Sequence, residues 1–257
     1  LGRDGSDATV AGLTPHPTSK DSSLRSVAAY GLGLIDRATS VPALIALTND
    51  AAVGPRANAI WALGRIGDPS TLAHLALLSA DKNDLVAATA AYSLGLVGDT
   101  AAIEPLRRCL ARKSETVRMR ALEALGKTGK KKAAPVIAPF LRHFDSSVRA
   151  QAAFALSFAA DSASARELDA IIHDPDAHVA ASAAYAMGRL GYKAGIDYIT
   201  ALLTSTEAET RFRAVEALGR LKATGAVRVI TPLTKDSDRW VTIKAAEVAA
   251  IAGDIMG

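Results

Sequence analysis

A leucine-glycine pair at Leu32-Gly33 returns every 31 residues, and that interval limits what the chain can become. Gly33, Gly64, Gly95, Gly126, Gly188 and Gly219 share the register, with Ser157 and Ala250 in the two remaining places. A fixed period of this size implies stacked supersecondary units, each burying its apolar face on the next, and not one globular core. A second column is alanine throughout: Ala28, Ala59, Ala90, Ala121, Ala152, Ala183, Ala214 and Ala245. Two parallel columns of small residues predict helices that approach closely at those points.

Within one repeat, the pattern predicts a first helix over Arg56 to Ile66 and a second over Ser70 to Ala80. Leu72, Leu75 and Leu78 form an apolar stripe on the second helix, with Val41, Leu44, Leu47 and Ile196, Ile199, Leu202 as equivalents. Gly67, Gly98, Gly129, Gly191 and Gly253 fall just past the first helix, where a left-handed residue commonly closes it. Asp68 and Asp99 follow, placed to accept hydrogen bonds from the first free amides of the next helix. No useful stretch alternates with period two, so strands are not expected.

The recurring motif is Val117-Arg118, Ala121, Ala124-Leu125-Gly126 and Gly129, and then Val148-Arg149, Ala152, Ala155-Leu156. It resembles the HEAT-repeat superfamily, in particular the short repeats named for phycobilisome lyases. The resemblance implies an all-α, right-handed α-solenoid (an α-α superhelix) of about eight 31-residue helix pairs. The units divide as 22–52, 53–83, 84–114, 115–145, 146–176, 177–207, 208–238 and a partial 239–257. Residues 1–21 read as the remnant of an upstream repeat or a linker, because Leu1-Gly2-Arg3-Asp4-Gly5 matches Leu63-Gly64-Arg65-Ile66-Gly67. The array is therefore expected to begin inside a repeat. The resemblance also implies that Arg25, Arg56, Arg118, Arg149 and Arg211 tie adjacent repeats through acids such as Asp50, Asp81, Asp174 and Asp236.

In similar repeats the Val-Arg helix lines the concave surface. On that basis one solvent-facing slot reads Tyr30, Trp61, Tyr92, Glu123, Phe154, Tyr185, Glu216 and Glu247. The slot three residues earlier holds Arg120, Arg213 and Lys244 among small and polar residues, and the slot four later runs from Leu34 to Ile251. Residues three or four apart share a helix face, so these slots form parallel lines. Aromatic rings beside polar groups offer large contact area at low entropic cost. Tyr30, Trp61, Tyr92, Phe154 and Tyr185 are the expected contact residues for a partner, with Arg120, Arg213 and Lys244 as polar selectors. The alternative is that each ring packs sideways on its neighbour and only stiffens the stack.

The net charge is +4, concentrated between residues 107 and 132, where Arg107, Arg108, Arg112, Lys113, Arg118, Arg120, Lys127, Lys130, Lys131 and Lys132 face only Glu115 and Glu123. Such a cluster can meet phosphates, but it spreads over two helices and a turn. No stretch is long and apolar enough for a membrane span. Phosphate-binding loops, nucleophile elbows and clustered cysteines are absent. Cys109 shares a column with Leu47, Leu78, Phe140 and Ile171 and reads as a small core residue. His173-Asp174-Pro175-Asp176-Ala177-His178 gathers possible metal ligands, but in an inter-repeat turn where Asp and Pro are expected anyway. The reading is a non-catalytic protein-protein interaction scaffold or assembly module without cofactor or metal. The alternatives are a bilin lyase or isomerase-type enzyme, from the resemblance, and a nucleic-acid binder through residues 107–132.

Overall fold

The computed structural model describes residues 16–35, 37–128, 131–159, 162–221 and 225–254. The leading match at residues 1–5, and Gly129 with Lys130, lie outside them. Every regular element among the described residues is helical. Two compact units divide the chain, residues 1–133 and 134–257.

In the first unit the long helices are α1 (Ser22–Ile35), α3 (Val53–Ile66), α5 (Asp84–Val97) and α7 (Glu115–Lys127). Shorter second helices alternate with the first three: α2 (Val41–Leu47), α4 (Leu72–Leu78) and α6 (Ile103–Leu110). Each is preceded by one turn of 3-10 helix. The long helices pack on one another in order, and each second helix packs chiefly on the long helix that follows it. In the second unit the long helices are α9 (Ser146–Ala159), α11 (Ala177–Arg189), α13 (Ala208–Leu221) and α15 (Arg239–Asp254). The others are α8 (Ala134–Ile137), α10 (Ser162–Asp169), α12 (Lys193–Leu202) and α14 (Ala226–Ile230). After α8 and α14 the chain tightens into 3-10 segments, Ala138–Arg142 and Thr231–Lys235, with Pro139 and Pro232 as their second residues. Proline lacks the N–H that would continue the α ladder.

All eight alanines of the small-residue column are buried. Beside them Leu32, Leu63, Leu94, Leu125 and Leu156 are fully buried, each contributing roughly 1.5–3 kcal/mol relative to exposure. The glycine column explains how the long helices come so close. A Cβ on Gly95 would lie 2.6 Å from Ala124 Cα and 3.1 Å from its carbonyl oxygen, so the helix backbones themselves meet there. In the second unit the same slot is looser. A Cβ on Gly188 would meet the end of the Leu221 side chain, which can move.

The predicted helix ends hold at Gly67 and Gly98, which take φ of 65° and 71° and close α3 and α5. Asp68 and Asp99 then accept from Ser70 N at 2.9 Å and Ala101 N at 2.7 Å. Gly191 is also left-handed, two residues beyond α11. Gly253 departs from the expectation, because α15 continues through it to Asp254.

The Arg-Asp ties form in three repeats. Arg25, Arg149 and Arg211 each grip an aspartate through two hydrogen bonds, Arg25 Nη2 to Asp50 at 2.8 Å, Arg149 to Asp174 at 2.8 Å and Arg211 to Asp236 at 2.7–2.8 Å. The same guanidiniums donate to carbonyls of the preceding turn, as Arg149 does to His143 O and Phe144 O. Each aspartate also accepts an amide two residues on: Ala52, Asp176 and Asp238. Arg56 grips the carbonyls of Asp50 and Ala51 in the same way, yet its Nε is buried without a partner. The expected pairing with Asp81 is not made. That turn is occupied by Arg112, which donates to Asp81 O and to the Asp84 carboxylate. Arg118 keeps only the carbonyl bonds, to Arg112 O and Leu110 O.

Candidate interaction surface

A long helix in mid-stack is buried on most of its circumference. In α3, Pro55, Ala57, Ala59, Ile60, Ala62, Leu63 and Gly64 are all covered. One strip of each long helix remains in solvent, and in the first unit it carries the predicted aromatic residues. Tyr30 is 46% exposed and stacks on Trp61 with ring centroids 5.0 Å apart at 18°. Arg65, one turn on, lies over the Trp61 ring at 5.4 Å. Tyr92 is covered from the next helix by Lys127, whose Nζ is 3.9 Å from the ring centre, and by Arg120 at 5.4 Å. Glu123 joins these cations, at 2.8 Å from Arg120 and 3.0 Å from Lys127. Partial burial raises the pKa of the Glu123 carboxyl, but the two cations outweigh it and hold the group below the usual carboxylate range. Val27, Leu34, Leu85 and Leu96 are exposed on the same helices.

In the second unit Phe154 stacks on Tyr185 at 6.0 Å and meets Phe158 edge-on at 5.2 Å. Arg189 lies over Phe158 at 4.2 Å. Tyr185 was expected to face solvent, but it is buried. It is enclosed beside a shallow depression of about 220 Å³ that Phe154, His178, Ser182, Arg213 and Arg220 also line, so it steadies Phe154. Arg213 is engaged by Glu209 at 2.8 Å, Arg220 by Glu216 at 2.7 Å and Lys244 by Glu247 at 2.7 Å. Tyr30 with Trp61 and Phe154 with Tyr185 therefore pack sideways as in the stiffening alternative, whereas Tyr92 is covered by cations instead of a ring.

A family model for HEAT repeats matches residues 10–95, 75–157 and 164–252. The chain is a HEAT-repeat protein. Its fold is similar to that in the complex of CpcE and CpcF of phycocyanin lyase from Nostoc sp. PCC7120, at 24% identity and a TM-score of 0.59, covering 98% of this chain and 97% of that one. Escherichia coli YibA is similar at 21% identity and a TM-score of 0.59, covering 93% and 92%. An engineered protein is similar at 22% identity and 0.52, covering 95% and 78%. A search among curated proteins returned no match. At these identities the likenesses establish the fold alone. They agree with the resemblance to short phycobilisome-lyase repeats.

The remaining sequence features of this HEAT-repeat protein are spent largely on structure. In the basic stretch, Arg107 pairs with Glu104, Arg112 with Asp84, and Arg118 with carbonyls, leaving Arg108, Lys113, Lys131 and Lys132 exposed. In the His173–His178 turn, Asp174 is held by Arg149, Asp176 caps α11 through the amides of His178 and Val179, and His173 packs edge-on against Tyr198 at 5.1 Å. Cys109 is buried, its thiol 3.6 Å from Ser79 O, and burial pushes its pKa up. Trp240, 66% exposed on α15, was not among the predicted contact residues. It stands two helical turns before Glu247, so one further step along the same face would have found it. Its equivalents Leu85, His178 and Glu209 are exposed too.

Proposed function

We propose that the exposed strip of the long helices is a binding surface for a protein partner, and that this HEAT-repeat protein acts as a non-catalytic scaffold or assembly module. The observation that carries the reading is the row of apolar and aromatic side chains left in solvent beside a core that already has its packing. Val27 is 63% exposed and Tyr30 46%, with Leu34 and Leu96 along the same face. Contiguous exposed apolar surface of this kind is uncommon unless something covers it. In the first unit Tyr30, Trp61 and Tyr92 supply the contact area and Arg120 the polar selection; in the second unit Phe154, supported by Tyr185, supplies contact area, and Arg213 and Lys244 the polar selection.

The test is the double variant Trp61→Ala, Tyr92→Ala, compared with the unmodified chain for binding the partner that the latter captures from its native source. The helical circular dichroism should be retained, and affinity should fall by roughly tenfold or more, as for buried aromatic anchors elsewhere. Unchanged affinity with an intact fold would remove the strip from consideration. In the rival reading, a bilin lyase or isomerase, the same strip cradles a tetrapyrrole. A red-shifted bilin absorbance on mixing would replace the scaffold reading with that one.

A further inference from the structure

The two units share a fold but not a surface charge pattern, and the difference points to the chemistry of the partner. On the exposed strip of the second unit, Arg213, Arg220 and Lys244 each have a carboxylate of their own within 2.8 Å. Among its described residues Arg189 alone, over the Phe158 ring, has none, so most of the positive charge on that strip is neutralised internally. On the strip of the first unit, Arg65 lies over the Trp61 ring at 5.4 Å, with no carboxylate among its contacts. Arg120 and Lys127 share one carboxylate, Glu123, and both lean over the Tyr92 ring. The remaining side chains of that strip are apolar, aromatic or uncharged, Leu96 and Thr89 among them. Asp68 and Asp99, which follow the ends of α3 and α5, are turned onto the amides of Ser70 and Ala101.

Cations laid over aromatic rings are held in place in advance and keep their charge available to a second ligand. We propose that the long-helix strip of residues 22–127 docks an acidic segment of a partner protein, with carboxylates meeting Arg65, Arg120 and Lys127 and apolar side chains lying against Tyr30, Trp61 and Leu96. Neighbouring helices in such a stack are about 8–10 Å apart, so an extended segment at about 3.3 Å per residue advances about three residues per helix. A segment with one acidic group for every one or two apolar ones fits that spacing. Glu123 occupies the place of an incoming carboxylate. The inference rests on the scaffold reading above and adds the charge of the ligand.

The test uses the full chain carrying Trp240→Phe, which leaves Trp61 as its sole tryptophan. The protein is titrated at low salt with three probes: a short synthetic peptide repeating Glu-Glu-Leu-Leu, which presents both kinds of side chain on each face of an extended chain, the same peptide with Lys for Glu, and a single-stranded oligothymidylate. A saturable change in Trp61 emission is expected with the Glu-Leu peptide alone. Arg65→Glu should weaken that binding by about tenfold through like-charge repulsion, and Arg65→Gln by less. Glu123→Gln should tighten it a few-fold by releasing Arg120 and Lys127. Circular dichroism confirms that each variant is folded. Equal or tighter binding of the Lys-Leu peptide or the oligonucleotide overturns the proposal, as does a Trp61 signal that no probe moves or that Arg65→Glu leaves unchanged. If the partner is nonetheless lost on Trp61→Ala, Tyr92→Ala, the strip binds but its ligand is not acidic. If both experiments fail, the strip is not the binding surface.

Discussion

At Gly95 the spacing between helices is set by the absence of one carbon. The neighbouring Ala124 backbone is already in contact, so Gly95→Ala must push α5 and α7 apart. The expected cost is about 1–3 kcal/mol, the range for overpacking a well-packed site, read from the urea-denaturation midpoint. Ser157 holds the same slot in the second unit, and its hydroxyl is buried without a hydrogen-bond partner. Removing an unpaired buried hydroxyl is close to neutral or stabilising, so Ser157→Ala should not lower the midpoint. Equal losses from both substitutions would mean that the column does not report helix contact. These columns were legible in the sequence because smallness recurring at a fixed interval has few causes other than close packing. Tyr185 was not legible in the same way. Its slot is solvent-facing at Tyr30 and covered at Tyr185, because what surrounds a ring depends on the residues of the neighbouring helix.

Among elements, the Arg-Asp ties link α1, α9 and α13 to the turns before and after them, and they make stability depend on acid. Asp50, Asp174 and Asp236 are held below the usual carboxylate range, first by the hydrogen bonds from Arg25, Arg149 and Arg211 and then by the amides of the following turn, against an opposing effect of burial. A carboxylate depressed in the folded state binds its proton more readily when unfolded. Its contribution is therefore complete above the ordinary value of about 3.9 and is lost as pH falls through that value toward the folded one. The denaturation midpoint should be flat near neutrality and fall below about pH 4. Asp174→Asn should lower the midpoint at pH 7 and flatten its acid dependence, whereas Asp81→Asn, with no arginine tied to its carboxylate, should do much less. A matching effect of the two substitutions would contradict the assignment of the ties. The sequence pattern of arginine and aspartate placed three ties correctly. It misplaced the fourth because Arg112, arriving from outside the pattern, occupies the turn of Asp81.

On the scale of the molecule, the stacking of long helices turns a period in sequence into a row in space. Every account of the surface given above depends on that conversion within each unit. The helices, their order and the buried columns could be read from the chain, since each follows from the repeat itself. Which rings pair, and which cations lie over them, could not, since these arise where one repeat meets the next with different letters. The claim that the row is the binding face is tested most directly by single-cysteine labelling. The chain has one cysteine, Cys109, and it is buried, so background reaction is low. Leu34→Cys and Leu96→Cys place a thiol on the row, and Leu77→Cys places one on the 75% exposed second-helix side of the same unit. With the captured partner bound, labelling at positions 34 and 96 should be suppressed while position 77 reacts as in the free protein. Protection at position 77 with full reactivity at 34 and 96 would contradict the account.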